Sequence, residues 1–207
     1  MFRIASYNIR KSIGLDYRRD AARVLGIVAG LGADIVALQE ADRRFKTRIS
    51  SLPHALVASE TDFEPLDVGA VPGGIGWHGN ALLLRKGTKI LHSRRLALPG
   101  LEPRGAVSAD IILASGPLRV IAVHLGLRRK GRRAQAAHLA AHLVRQPMMP
   151  TILLGDFNEW SVSGRKLTAL NDLLTLRQPG RSYPTAPCIA ARNRPAPPII
   201  CQYRWIW

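Results

Sequence analysis

The sequence predicts an α/β fold, and two observations carry that prediction. The chain begins with apolar segments arranged as strand, helix and strand, at residues 2–9, 18–31 and 34–40. Such a β-α-β start is typical of an α/β sheet. Later, an apolar run at 151–154 leads directly into Gly155-Asp156-Phe157-Asn158, which indicates a buried strand that delivers polar side chains to the rim of a sheet.

The remaining elements follow from periodicity and from turn residues. The helix at 18–31 has an apolar stripe at helical spacing and ends at Gly30 and Gly32. Residues 43–78 show no period, and we predict an irregular segment with a glycine-rich loop at 69–79. Strands are predicted at 80–85, 89–96, 107–113 and 118–124, the last two as a hairpin turning at 115–117, and helices at 132–145 and 164–174.

The segment after residue 175 differs from the rest of the chain. No Asp, Glu or His follows Asp172, and six of the 14 prolines lie in residues 179–207. We therefore predict one domain at 1–175 and an aberrant, irregular tail rich in Pro and Arg at 176–207.

Composition narrows the class of protein further. With 207 residues, 47% of them hydrophobic, the chain can bury one core, and no apolar run approaches the ~20 residues of a membrane span. The net charge of +16 favours polyanionic partners. We expect a cytoplasmic monomer in which Cys188 and Cys201 are free thiols.

Polar side chains recur at the ends of the predicted strands. In an α/β sheet such side chains converge on one rim, where ligands bind. Their amides, carboxylates and imidazole suit a hard divalent cation and a phosphate ester, so the pattern favours a metal-assisted phosphoesterase. The set comprises Asn8, Glu40, Asn80, His124, Asp156 and Asn158.

Five short motifs, in this order, resemble the endonuclease/exonuclease/phosphatase superfamily, the deoxyribonuclease I-like enzymes, over residues 2 to about 175. They are Ser6-Tyr7-Asn8, Leu38-Gln39-Glu40, Gly79-Asn80-Ala81, Val123-His124-Leu125 and Gly155-Asp156-Phe157-Asn158. The resemblance implies a four-layer sandwich of two packed mixed β-sheets flanked by helices. The resemblance also implies that the substrate is a phosphate ester: nucleic acid, phospholipid or a small phosphodiester.

The resemblance also implies a role for each residue. Asn8 and Glu40 would hold Mg²⁺, with Mn²⁺ as the alternative. Asp156 would align or activate the attacking water, Asn158 would steady the water or a phosphoryl oxygen, and His124 would donate to the phosphate. Asn80 would contact the substrate, and we expect Arg104 to contact phosphate.

The C-terminus departs from the family, whose members usually end in a further strand and a closing Ser-Asp-His. This sequence has no such triplet, and its last histidine is His142. We expect a truncated, out-of-frame tail that lacks the last strands, and activity weakened accordingly. Two alternatives stay open: an inactive pseudoenzyme, and a basic nucleic-acid-binding module without catalysis. The basic run at 128–133 is either a solvated face or an anion-binding one.

Overall fold

The computed structural model describes residues 2–42, 49–158, 167–171, 173–174 and 199–201. The strands are β1 (Ile4–Asn8), β2 (Ile35–Gln39), β3 (Phe63–Pro65), β4 (Ala81–Arg85), β5 (Lys89–Leu98), β6 (Arg104–Leu113), β7 (Gly116–His124), β8 (Thr151–Asp156) and β9 (Ile199–Cys201). The α-helices are α1 (Ala21–Gly30), α2 (His54–Glu60), α3 (Arg129–Val144) and α4 (Thr168–Asn171), and a 3₁₀ turn spans Arg10–Ser12. None of the described helices is long and apolar enough to cross a membrane.

The strands form two mixed sheets. One has the order β3-β4-β2-β1-β9, and the other has the order β5-β6-β7-β8. Each sheet contains one parallel pair, β1 with β2 and β7 with β8, while the remaining neighbours are antiparallel. The carboxyl ends of each parallel pair therefore lie at one edge of their sheet.

The core has three parts that define four layers. Between the sheets, Ile4, Ile35 and Leu82 of one sheet share a buried cluster with Val107, Val120 and Leu154 of the other. A second cluster packs α1 and α2 on the outer face of the first sheet. A third packs α3 and α4 on the outer face of the second sheet. The predicted four-layer α/β sandwich is confirmed.

The first helix begins at Ala21, three residues later than the predicted start at residue 18. The side chain of Asp20 accepts a hydrogen bond from the backbone N–H of Arg23 at 2.9 Å, which makes Asp20 the N-cap of α1. A carboxylate at this position satisfies an otherwise unpaired N–H of the first turn. Asp16 instead pairs with the Arg23 guanidinium at 2.9 Å, in the loop before the helix.

The prediction of an irregular segment at 43–78 was wrong in part. Pro53, with φ −61°, precedes α2, and the Thr61 hydroxyl donates to the carbonyl of Val57 at 2.6 Å near its end. The three residues of β3 pair with β4. A seven-residue helix and a three-residue strand are too short to show a period in the sequence. Residues 43–48 lie outside the described residues.

The hairpin of β6 and β7 turns earlier than predicted. Leu113 pairs with Gly116, so Ala114 and Ser115 form the turn, and Pro117 lies inside β7 opposite Ile112. Pro117 is the second residue of its strand, near the end, where a missing N–H disturbs the ladder least.

The C-terminal segment contributes a strand that the sequence analysis did not predict. Ile199–Cys201 pairs antiparallel with β1 and covers that edge of the first sheet. An uncovered edge exposes unpaired backbone N–H and C=O groups, so this short pairing matters for the sheet. Most of the tail, including Cys188, lies outside the described residues, and its predicted irregularity stays a prediction.

A buried ion pair joins β6 to β7. The Arg119 guanidinium donates to both oxygens of Asp110, at 2.7 and 2.9 Å, and both side chains are buried. The hydrogen bond from Arg119 lowers the pKa of Asp110, against the opposing effect of burial. Asp110→Asn leaves the guanidinium buried without its counter-charge, and we expect the free energy of unfolding to fall by roughly 3 kcal/mol.

The pH dependence of that loss has a defined sign. A carboxyl whose pKa is lower in the folded than in the unfolded chain stabilises above its unfolded pKa, about 4. The difference between wild type and Asp110→Asn should be complete at pH 7 and pH 5 and should shrink as the pH falls through the lowered pKa. Urea unfolding measures it, with the exposed Asp67→Asn as the charge-matched control. A difference that grows on acidification would contradict this account.

Candidate active site

The carboxyl ends of the two parallel pairs meet at one rim. Asn8, at the end of β1, is opposite Gln39 at the end of β2, and Glu40 follows directly. His124, at the end of β7, is opposite Asp156 at the end of β8. The packing of the two sheets brings the ends together, since Asn8 Nδ2 donates to Asp156 Oδ2 at 3.1 Å. Residues 8 and 156 are 148 positions apart in the chain.

Asp156 is the centre of this group. Its Oδ2 accepts the hydrogen bond from Asn8, and His124 Nε2 lies 3.7 Å from the same oxygen. Its Oδ1 accepts a hydrogen bond from the backbone N–H of Asn158 at 2.9 Å. The Asp156 side chain is about one-third exposed, whereas that of His124 is buried. The carboxylate is therefore fixed on both oxygens and still reachable from solvent.

The backbone at the end of β8 is shaped for this arrangement. Gly155 has φ +142°, and a Cβ there would lie 1.9 Å from the carbonyl oxygen of Val123 on the neighbouring strand. Only glycine tolerates this approach. Phe157 packs against the cluster beneath α3.

The Asn158 side chain bonds to the neighbouring segment after β7. Its side-chain amide donates to the carbonyl of Leu125 at 2.8 Å, and its backbone has φ +49°. The Leu125 N–H in turn donates to the carbonyl of Asp156 at 2.9 Å. The segments after β7 and β8 are thus tied together on both sides of the His124–Asp156 pair.

Glu40 lies in a left-handed backbone conformation, with φ +55°. Gly79 packs against it, because a Cβ at Gly79 would be 3.5 Å from Glu40 Cα. The Asp42 carboxylate accepts from the Gly79 N–H at 2.9 Å and holds the two segments together. Lys11 Nζ lies 2.7 Å from Glu40 Oε2. No local sequence pattern marks Lys11 or Asp42 as part of this group.

The two predicted substrate contacts are inside the protein. Asn80 has no exposed surface, and its amide donates to the Gly105 carbonyl at 2.9 Å, which ties β4 to β6. Its Oδ1 is buried without a hydrogen-bond partner among the described residues. Arg104 is 4% exposed, and Glu102 accepts from its guanidinium at 3.0 Å. The substrate contacts of Asn80 and Arg104 stay predictions, and the contacts seen here are structural.

Glu102 also shows how the loop between β5 and β6 is held. Burial opposes ionisation of Glu102, but hydrogen bonds from Arg104 and from the Leu127 N–H outweigh it, and the pKa of this carboxyl is lowered. The Leu127 bond, at 3.1 Å, ties the loop to the segment after His124.

The donor chemistry fits a magnesium-type ion. No group of three or more His, Cys, Asp and Glu side chains with metal-binding geometry occurs among the described residues. Mg²⁺ does not require one, because it takes one or two carboxylates and completes its octahedron with waters and phosphate oxygens. Glu40, whose side chain is 19% exposed, would supply a carboxylate, and Asn8, which lies opposite Gln39 in the parallel pair, would supply an amide oxygen.

Comparison with known proteins identifies the class. The model of the Endonuclease/Exonuclease/phosphatase family matches residues 5–199, which is most of the chain. The protein therefore belongs to this family of phosphoesterase and nuclease-type hydrolases. The match extends beyond residue 175, where the sequence analysis placed the end of the domain.

A particular relative is similar over most of its length. The uncharacterized protein YbhP of Escherichia coli strain K12 is 31% identical over 202 residues, which cover 90% of this chain and 79% of YbhP.

Solved structures share the fold at lower identity. A mannosyl-6-phosphatase of Bacteroides thetaiotaomicron has a TM-score of 0.64 at 18% identity, covering 84% of this chain and 71% of its own. TDP2 of D. rerio, complexed with a single-strand DNA product, has 0.59 at 21%, covering 82% and 65%. A family member from Beutenbergia cavernae has 0.58 at 20%, covering 77% of this chain, which spans only about half (48%) of that protein's length.

The close approach at Gly155 yields a prediction. Gly155→Ala forces β8 away from the Val123 carbonyl and moves Asp156 relative to His124, so we expect the free energy of unfolding to fall by roughly 3 kcal/mol. Chemical denaturation measures the change. Gly131→Ala in α3 is the control, because nothing lies within 4 Å of its Cβ position. That substitution should stabilise by about 0.5–1 kcal/mol, and equal stabilities for the two variants would contradict the geometry.

Proposed function

We propose that this protein is a divalent-metal-dependent phosphoesterase that hydrolyses a phosphate ester with Asp156 at its centre. The observation that carries the proposal is the convergence of Asn8 and His124 on one Asp156 oxygen, at 3.1 and 3.7 Å, at a rim that both sheets share. Family membership supports the reaction class. The metal, Mg²⁺ or Mn²⁺, and the substrate, a phosphate ester, are also part of the proposal.

Asp156 is the group that aligns water and accepts its proton. One oxygen is held by Asn8 and the other by the Asn158 N–H, which leaves the remaining lone pairs in fixed directions. A carboxylate fixed in this way orients a nucleophilic water without reorganising as the reaction proceeds. The partial exposure of Asp156 gives the water access.

His124 stabilises negative charge at Asp156 or on the substrate. Its Nε2 faces the carboxylate from a buried position, so a protonated imidazole would balance the negative charge there or donate to a phosphoryl oxygen. Asn158 acts mainly by position, because its side-chain amide holds the Leu125 carbonyl. Asn8 and Glu40 would hold Mg²⁺ or Mn²⁺, which when bound supplies neutralisation of charge on the phosphoryl oxygens.

Residues 1–207 contain no Ser-Asp-His triplet of the kind that usually closes members of the family, so the proposal includes weak activity of this stretch. A positioned acid–base group contributes about 10²–10⁴-fold to a rate, so these residues by themselves should turn over substrate more slowly than they would with such a histidine present. The inactive pseudoenzyme is the corresponding alternative. The cytoplasmic, monomeric state predicted from the sequence is retained as part of the proposal.

The substrate class is a phosphate ester. The mannosyl-6-phosphatase and the DNA-bound TDP2 share the fold, and their names point to a sugar phosphate and to nucleic acid as substrates to test. The net charge of +16 favours the polyanion of the two. A nucleic-acid-binding module without catalysis would show salt-dependent binding and no hydrolysis on addition of Mg²⁺.

Asp156→Asn tests the proposal. It keeps the side chain's shape but removes the proton acceptor, so we expect hydrolysis to fall by about 10²–10⁴-fold. The assay uses purified protein with Mg²⁺ or Mn²⁺ against DNA, RNA, a phospholipid, a sugar phosphate and a model phosphodiester.

Glu60→Gln is the matched control for that experiment. Glu60 is exposed at the end of α2, and the strand that follows it begins opposite Arg85, at the end of the first sheet away from Asn8. The Glu60→Gln variant should therefore retain wild-type rates. Hydrolysis that survives both the Asp156→Asn substitution and EDTA would refute the proposed site. If the wild-type protein hydrolyses none of the substrates, the result would favour the pseudoenzyme.

A further inference from the structure

The 3₁₀ turn that follows β1 covers the oxygens of both candidate metal ligands. The backbone N–H of Arg10 donates to Asn8 Oδ1 at 3.1 Å. The ammonium of Lys11 pairs with Glu40 Oε2 at 2.7 Å. A cation thus stands at the carboxylate that the proposed function gives to the metal, and it belongs to the chain itself.

The position of Lys11 is built into the backbone. Three consecutive non-glycine residues, Arg10, Lys11 and Ser12, have φ of +48°, +58° and +63°. Such a run is costly for residues with a Cβ and persists only where its surroundings fix it. Here the Lys11 N–H donates to the Glu40 carbonyl at 2.9 Å, and the Ser12 hydroxyl donates to the Ser51 carbonyl at 3.2 Å.

The ion pair is formed by side chains that retain some contact with solvent. The Lys11 side chain is 31% exposed and that of Glu40 is 19% exposed. A lysine ammonium is a compact point charge on a flexible four-carbon stem, so it can leave one carboxylate without disturbing the backbone. The backbone bond between Lys11 and Glu40 would then keep the turn in place.

We propose that Lys11 is a resident counter-cation of the metal site: it neutralises Glu40 in the metal-free protein and is displaced when a divalent cation binds. This inference rests on the proposed function, because it takes Glu40 as a ligand. An ammonium and a divalent cation repel each other strongly at one carboxylate oxygen, so they exclude each other. Lys11 therefore lowers the affinity for metal while it stabilises the metal-free form of the protein.

The linkage between the two cations is reciprocal. The factor by which the Lys11–Glu40 ion pair lowers the affinity for metal equals the factor by which bound metal disfavours the ion pair. Lys11→Met should therefore bind Mn²⁺ about fivefold more tightly than wild type, the factor expected for a partly exposed ion pair. In EDTA the same variant should melt at a lower temperature than wild type, and saturating Mn²⁺ should remove or reverse that difference.

Isothermal titration with Mn²⁺ and thermal melting with and without EDTA provide the two readouts. Lys89→Met is the charge-matched control, because Lys89 is exposed at the start of β5, at the end of the second sheet away from His124. This variant should bind Mn²⁺ as wild type does. Lys11→Gln, which is neutral but polar, is the second variant. Glu40→Gln should lose most of the Mn²⁺ affinity.

A variant-free measurement covers the case in which the Lys11 variants do not fold. Reductive methylation of wild type, read by mass spectrometry, should label Lys11 more rapidly in saturating Mg²⁺ than in EDTA, while Lys89 should be labelled equally in both. Labelling of Lys11 that does not respond to Mg²⁺ would overturn the inference.

The outcomes separate this inference from the proposed function. If Glu40→Gln binds Mn²⁺ as tightly as wild type, Glu40 is not a ligand and the proposed metal site fails together with the role of Lys11. If Glu40→Gln loses binding but both Lys11 variants match Lys89→Met, the metal site stands and only the role of Lys11 is refuted.

Discussion

The contact between Asn8 and Asp156 is the interaction on which the arrangement of the site depends. It joins the end of β1 in one sheet to the end of β8 in the other, at 3.1 Å. Each sheet by itself supplies only half of the polar groups: Asn8 and Glu40 come from the first, and His124 and Asp156 from the second. The chemistry proposed here therefore requires that the two sheets pack in one register.

That register is set by apolar packing. The cluster between the sheets takes Ile4 of β1 and alternate residues of β2 and β4 on one side, and alternate residues of β6, β7 and β8 on the other. Side chains alternate between the faces of a strand, so a slip of one residue would turn the buried set outward. The same slip would carry Asp156 away from Asn8. Burial of the core and assembly of the rim are thus one geometric requirement.

The sequence predicted the parts of the site that follow long apolar runs. Asn8, Glu40, His124 and Asp156 each end or follow a strand that the sequence pattern predicts. The structure brings Asn8, His124 and Asp156 together, and Glu40 follows the strand end opposite Asn8. Their catalytic and metal-binding roles stay proposals. The four-layer architecture was also predictable, because the family motifs accompany the β-α-β start.

Other features depended on tertiary contacts that leave no local pattern. Lys11 reaches Glu40 only because three non-glycine residues adopt left-handed backbone conformations. The residue types of Arg10-Lys11-Ser12 do not predict such conformations. Arg104 is buried because the loop before it folds Glu102 against it. Strands β3 and β9 have three residues each, too few for periodicity to appear. These are features in which tertiary structure overrides or supplements the local signal.

The charges at the rim follow from the same contacts. Arg104, a cation predicted to meet phosphate, is neutralised by Glu102, and Glu40 is neutralised by Lys11. The exposed cations nearest to His124 in the sequence are instead Arg128, Arg129 and Lys130, where the chain enters α3. Positive charge at a helix N-terminus opposes the helix dipole, so these charges do not stabilise α3. Their charge adds to the long-range attraction that the protein exerts on anions.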